Sequence, residues 1–169
     1  MGSIAVVGEW IRHVPHRSEL LGRSTLPANG RWQRGSVVRA LYLADGAGTA
    51  VAEWYRWLAE NSLPPGNGIP HDHHRWRVSV EVADLSTPDR LAAVGLNVPP
   101  PSSSTWRTFQ AVGETLWREG WSGLLAPSAA RPSGRVLCLF ADVWPPAGTR
   151  PVRIEEIADV PVPPTGMTT

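Results

Sequence analysis

Apolar residues recur along this chain with two periods, and the switch between them outlines the fold. "WRVSVEVADL" places an apolar residue at almost every second position and predicts a half-buried strand. "SVVRALYLAD" is rich in Val, Leu and Tyr and predicts a strand over about residues 37–44. "SGLLAPSA" and "RVLCLFAD" read as two further strands, separated by a Pro-Ser turn and a Gly turn. "SIAVVGEWIRHVP" begins apolar and stops at Pro15, which fits a strand or a short helix. The helical period appears in "GAGTAVAEWYRWLAEN", where Ala50, Trp54, Trp57 and Leu58 share a face and Thr49 stands near the start. It returns in "STWRTFQAVGETLWREG", which puts Trp106, Phe109, Val112, Gly113 and Leu116 on one side. Ser104 or Thr105 is placed to cap that helix and Gly120 to end it. "TPDRLAAVGL" predicts a short helix, "NVPPPSSS" a linker, and "SLPPGNGIPHDHH" a loop. Strands and helices mix without a regular βαβ rhythm. The expected class is therefore α+β, one domain of mixed sheets with flanking helices, and not a doubly wound sheet. The domain is expected over residues 1–144, with a Pro-rich tail over 145–169.

Composition narrows the chemistry. A chain of 169 residues with 42% hydrophobic content can bury a sizeable core. A net charge of +1 argues against direct nucleic-acid binding and against an acidic tail. All 16 basic residues are arginine, which excludes a lysine nucleophile, a Schiff base and a P-loop lysine. The lone Cys138 sits in an apolar run, where an inert buried thiol is expected, and one cysteine forms no disulfide within the chain. No apolar stretch approaches the roughly 18 residues of a membrane span, and no signal-peptide pattern opens the chain, so a cytoplasmic location is expected. Nine tryptophans supply many possible walls for a planar ligand.

Four places could carry chemistry. In "LPANGRWQRG", glycines flank an Arg-Trp pair, which suggests a shaped turn presenting Arg31; a guanidinium so placed clamps an anion, or is a surface arginine in a turn. Glu53 lies one turn after Ala50 and one turn before Trp57, so a carboxylate borders the apolar stripe. It is either paired with a neighbouring arginine or held in a pocket for use. Ser128 follows a buried strand and a proline; without a Gly-x-Ser-x-Gly elbow it suits a positioning hydrogen bond, or a turn, better than a nucleophile. His71, Asp72, His73 and His74 invite a metal reading, but no second cluster of ligands completes a set, so no metal is expected. No G-x-G-x-x-G follows a strand, which leaves out a Rossmann dehydrogenase.

The ordered set "WIRHVP", "GRWQRG", "ALYLADGAGTAVAEW" and "QAVGETLWREGWSGLLAPSA" resembles the RES-domain family over roughly residues 10 to 142. Gln33 stands where that family usually has Asn. The resemblance implies a fold similar to ADP-ribosyltransferase toxins. It also implies an NAD-consuming toxin of a two-gene toxin–antitoxin system, acting by hydrolysis or phosphorolysis. Arg31, Glu53 and Ser128 match the family's catalytic positions, and Tyr42, Arg12 and Trp32 are carried over as substrate-binding. On this reading NAD is the substrate and no cofactor is needed, with inorganic phosphate as a candidate co-substrate. Arg31 would clamp phosphate, Glu53 would stabilise an oxocarbenium ion, and Ser128 with Tyr42 would position nicotinamide. A helix-turn-helix antitoxin is the implied partner; no membrane partner is expected, and a homo-oligomer stays open. Three alternatives also stay open: a protein ADP-ribosyltransferase, a catalytically silent module binding a nucleotide or partner, and a metal-dependent hydrolase built on the histidines.

Overall fold

A computed structural model describes residues 1–21 and 28–168. Leu26 and Pro27, the first two residues of the turn stretch, lie outside the described residues. The elements are β1 (Ser3–Pro15), β2 (Ala40–Ala44), α1 (Ala47–Glu60), β3 (His71–Asp84), α2 (Pro88–Ala92), α3 (Trp106–Arg118), β4 (Gly123–Pro127), β5 (Arg135–Phe140) and β6 (Thr149–Ile157). The class is α+β, with one six-stranded mixed sheet.

The sheet order is β1-β2-β5-β4-β3-β6, and β1 also pairs with β3 along its whole length, from Ser3–Ala83 to Pro15–His71. The pairing therefore runs in a closed circuit through β1, β2, β5, β4 and β3. Among the described residues only β3 and β4 are parallel, through Ala83–Leu124 and Asp84–Leu125. Strands inside the circuit are covered on both faces, which is why β4 and β5 read as continuous apolar runs. In β5, Leu137 and Leu139 enter one core with Leu41, Leu43, Trp76 and Val82. Cys138 and Phe140 point the other way, into a second core with Trp32, Leu91, Phe109 and Leu116 beneath α2 and α3. Burial pushes the Cys138 thiol up to about 12, so it is inert at neutral pH.

Three local expectations change. "HDHH", expected in a loop, begins β3, where His71–His74 are all buried between β1 and β6. Its flanking Pro and Gly suggested a loop, but pairing on both sides overrides that local signal. The segment beyond residue 144, read as a tail, contains β6, an exposed and charged edge strand paired with β3. The helix starts also differ. Gly46 is the N-cap of α1, Thr49 is buried one turn in, and Thr105 at the N-cap of α3 makes no side-chain cap. Ser102 instead caps the single 3-10 turn before α3.

Candidate active site

Residues from β1, the Gly30–Gln33 turn, β2, α1 and the end of β4 meet in a cleft of about 260 Å³. The turn is built by hydrogen bonds, not by glycine dihedrals. Gly30 N–H donates to Gln33 O at 2.9 Å, and the buried Gln33 side chain ties Tyr42 to Ala28, accepting from the Tyr42 hydroxyl at 2.8 Å and donating to Ala28 O at 3.0 Å. Tyr42 in turn accepts the Trp32 N–H at 3.0 Å. A Cβ on Gly30 would collide with the Tyr42 hydroxyl, and one on Gly113 would collide with the Trp32 carbonyl. The two glycines thus let the turn settle onto β2 and α3; Gly30 makes room for a neighbouring side chain instead of a ligand. Gln110 of α3 donates to Gly30 O at 2.8 Å and completes the seat.

The two arginines of this turn have opposite fates. Arg34 makes a bidentate pair with the buried Glu114, both bonds at 2.7 Å, and fastens the turn to α3. Arg31 faces the cleft, is 7% exposed, and has no carboxylate partner among the described residues. Its Nη2 reaches Pro101 O at 3.3 Å, its guanidinium lies 5.5 Å from the Phe109 ring and 5.9 Å from Trp106, and its Nη1 has no hydrogen-bond partner. Burial, and then the Arg56 charge, push the Arg31 guanidinium down to about 10, so it remains a cation at neutral pH. A buried cation with an idle donor is costly unless an anion completes it.

Glu53 stands on α1 with Arg56 and Glu60 on the same face, while Trp54 and Leu58 turn into the protein. Its Oε1 accepts from the Ser128 hydroxyl at 2.7 Å and its Oε2 from Arg56 Nε at 2.8 Å. Arg56 also binds Glu60 at 2.6 Å. Burial works to raise the Glu53 carboxyl, but the Arg56 charge and the Ser128 hydrogen bond outweigh it and hold the group below its ordinary 4.5. Glu53 is a fixed anion at the cleft wall.

The carried-over residues divide into two sets. Arg31, Glu53 and Arg12 present charge at the cleft. Arg12 lies over the Trp144 ring at 5.9 Å, with no carboxylate partner among the described residues. Ser128 is fully buried behind Glu53; besides donating to it, the hydroxyl accepts the N–H groups of Ala130 at 3.2 Å and Arg131 at 3.0 Å. Tyr42 and Trp32 also line the cleft, with the Tyr42 hydroxyl engaged by Gln33 and the Trp32 N–H and the Trp32 ring packed edge-on against Phe109 at 5.2 Å. The histidines sit apart from any ligand cage: His71 stacks on Trp54 at 4.5 Å, and Asp72 binds His16 Nδ1 at 3.0 Å and the Arg17 N–H at 2.7 Å. No group of three or more His, Cys, Asp or Glu converges among the described residues. Sequence reasoning missed Arg56; the spacing Glu53-x-x-Arg56 followed by Arg56-x-x-x-Glu60 was the available signal.

A family model described as the RES domain matches residues 9–163. Proteins named NAD(+) phosphorylase MbcT, from Mycobacterium bovis and Mycobacterium tuberculosis, are 31% identical over 117 residues. The match covers 68% of this chain and 63% of those relatives, so the chain spans less than two thirds of their length. Among solved structures, the M. tuberculosis MbcT–MbcA toxin–antitoxin complex contains a chain with a TM-score of 0.77 and 25% identity, covering 93% of this chain and 87% of its own.

Proposed function

The chain belongs to the RES-domain family, and on that premise we propose that it breaks the nicotinamide–ribose bond of NAD. The observation that carries this reading is the pairing of opposite fixed charges in one cleft: a buried Arg31 with an idle donor, and a Glu53 carboxylate held ionised by Ser128 and Arg56. The phosphorylase name of the MbcT relatives supports it.

NAD brings an anionic pyrophosphate and a cationic leaving group. Arg31, with Arg12 nearby, completes its hydrogen bonding on phosphate oxygens. As the bond breaks, its electron pair leaves with nicotinamide, which departs neutral and needs no general acid. Positive charge then builds on the ribose, and Glu53 stabilises it. Ser128 and Arg56 keep that carboxylate oriented, and the Tyr42–Gln33 pair keeps Arg31's turn in place. If inorganic phosphate attacks the ribose carbon, the products are nicotinamide and ADP-ribose 1-phosphate; if water attacks, they are nicotinamide, ADP-ribose and a proton. The relatives' name favours phosphate. NAD would thus be a substrate and not a recycled cofactor.

An enzyme that drains NAD harms its own cell unless it is covered. The toxin–antitoxin complex formed by the structural relative supports an antitoxin partner for this chain. The chemistry of Arg31 suits a partner that sets an acidic group against it. Incubating the purified chain with NAD, with and without inorganic phosphate, and identifying products by mass tests the reaction. ADP-ribose 1-phosphate formed only with phosphate supports phosphorolysis, ADP-ribose in both arms supports hydrolysis, and intact NAD in both rejects the proposal.

A further inference from the structure

A second pocket, of about 300 Å³, adjoins the cleft on the other side of Arg12 and Trp57, which line both. Its walls are the end of β1, one side of α1 and the start of β3, with Trp54, Trp57, His13 and His71 around it and Asn67 at its rim. Its size falls at the lower end of small-molecule sites, and its lining is aromatic. One feature of the site calls for a ligand. His71 is 2% exposed and stacked on Trp54, yet neither of its ring nitrogens has a hydrogen-bond partner. A buried imidazole with both nitrogens idle is a costly arrangement that a hydrogen-bonding guest relieves.

We propose that this pocket seats the adenine ring of the dinucleotide, stacked on Trp57 and hydrogen-bonded to His71, with Arg12 at the junction facing the phosphates. This rests on the NAD reading above and extends it to the other end of the molecule. The pocket's lining suits adenine better than nicotinamide. The pocket is lined by no carboxylate, so it has nothing to offer the positively charged nicotinamide ring, whereas Glu53 lies in the neighbouring cleft. A neutral imidazole presents one donor and one acceptor, and the adenine edge carries an amino donor beside ring-nitrogen acceptors, so either nitrogen of His71 finds a complement. His71 is kept neutral by the surroundings: burial, then His73, push it down to about 4.

The test uses the full chain with two probes that share a ribose phosphate and differ in the base, AMP and ribose 5-phosphate, titrated calorimetrically. His71→Phe keeps a ring against Trp54 and removes both nitrogens. AMP binding is expected to weaken roughly tenfold, the scale of one buried hydrogen bond, while ribose 5-phosphate changes less than twofold. Equal weakening of both probes, unchanged AMP binding in folded His71→Phe, or no AMP binding to the wild type would each overturn the proposal. Should His71→Phe fail to fold, Asn67→Trp, on the exposed 3-10 turn at the rim, fills the pocket from outside. It should abolish AMP binding and spare ribose 5-phosphate, and undiminished AMP binding would again overturn the assignment. A chain that binds AMP in this manner but leaves NAD intact keeps the adenine seat and loses the cleavage reading. A chain that consumes NAD while AMP ignores both substitutions does the reverse.

Discussion

The Ser128 hydroxyl donates to Glu53 Oε1 at 2.7 Å while accepting the backbone N–H groups of Ala130 and Arg131. One buried oxygen thus locks the turn after β4 and aims the carboxylate of α1. On the proposed reading the serine acts through the glutamate. Ser128→Ala strands two backbone donors and frees one carboxylate oxygen, at a cost of about 1–3 kcal/mol in stability. With one stabilising hydrogen bond gone, the Glu53 carboxyl titrates higher, so the acid limb of the kcat profile should move to higher pH. A serine in direct contact with the ligand would instead raise KM, and a pH–rate series on both proteins separates the outcomes.

Arg31 carries a stability cost. Its Nη1 is unpartnered and its charge is buried against rings. Arg31→Met should leave thermal stability unchanged or raise it, while KM for NAD rises at least roughly tenfold. Differential scanning fluorimetry and steady-state kinetics on the same preparation check both halves. A large fall in Tm would show that the arginine is needed for the fold.

Gln33 occupies a position where asparagine is usual in the family, yet its length is used here. It spans from the Tyr42 hydroxyl to the Ala28 carbonyl. Gln33→Asn is one methylene shorter and cannot keep both bonds in place. It should lower stability by about 1 kcal/mol and leave activity no higher than in the wild type. A clear gain in turnover would contradict the structural role given to Gln33.

Acid should loosen the fold through its buried histidines. Burial pushes His13 down to about 3 and His71 down to about 4, from an ordinary 6.5. Below pH 6.5 the unfolded chain takes up protons that the folded chain refuses. Stability therefore falls as the pH drops from 6.5 towards 4 and 3, and is insensitive to these groups above 6.5. Tm measured from pH 7.5 to 4.5 should decline for the wild type and decline less for His71→Phe. Equal slopes would show that His71 takes up its proton as readily in the folded chain as in the unfolded one.

The sequence revealed β2, β4, β5 and most of β3 because the apolar periods are strong, left β1 open between strand and helix, and put both long helices where "AEWYRWLAE" and "WRTFQAVGETLW" stand. It misled where local composition and long-range pairing disagree. "HDHH" carries loop-like flanks, but β1 and β6 enclose it on either side, and neither partner is visible from the segment itself. The charged "TRPVRIEEI" lacks an apolar stripe because an edge strand buries little, so β6 gave no hydrophobic signal. Arg31, Glu53 and Ser128 could be singled out one by one. Their division of labour could not, since the bond joining Ser128 to Glu53 spans 75 residues. Arg34 and Arg31 look alike in "GRWQR", and only the distant Glu114 decides which of them is already paired.

The central claim is that the ionised Glu53 carboxylate drives departure of nicotinamide from NAD. The most direct measurement is the rate of nicotinamide release by wild type and Glu53→Gln, at equal concentrations, in phosphate buffer at neutral pH, with circular dichroism and Tm confirming that both are folded. The glutamine keeps the shape and removes the charge. The expected result is rapid release by the wild type and a loss of roughly 100- to 1,000-fold in the variant, the scale of removing one electrostatic stabiliser of a transition state. A folded Glu53→Gln protein that releases nicotinamide at the wild-type rate would contradict the account.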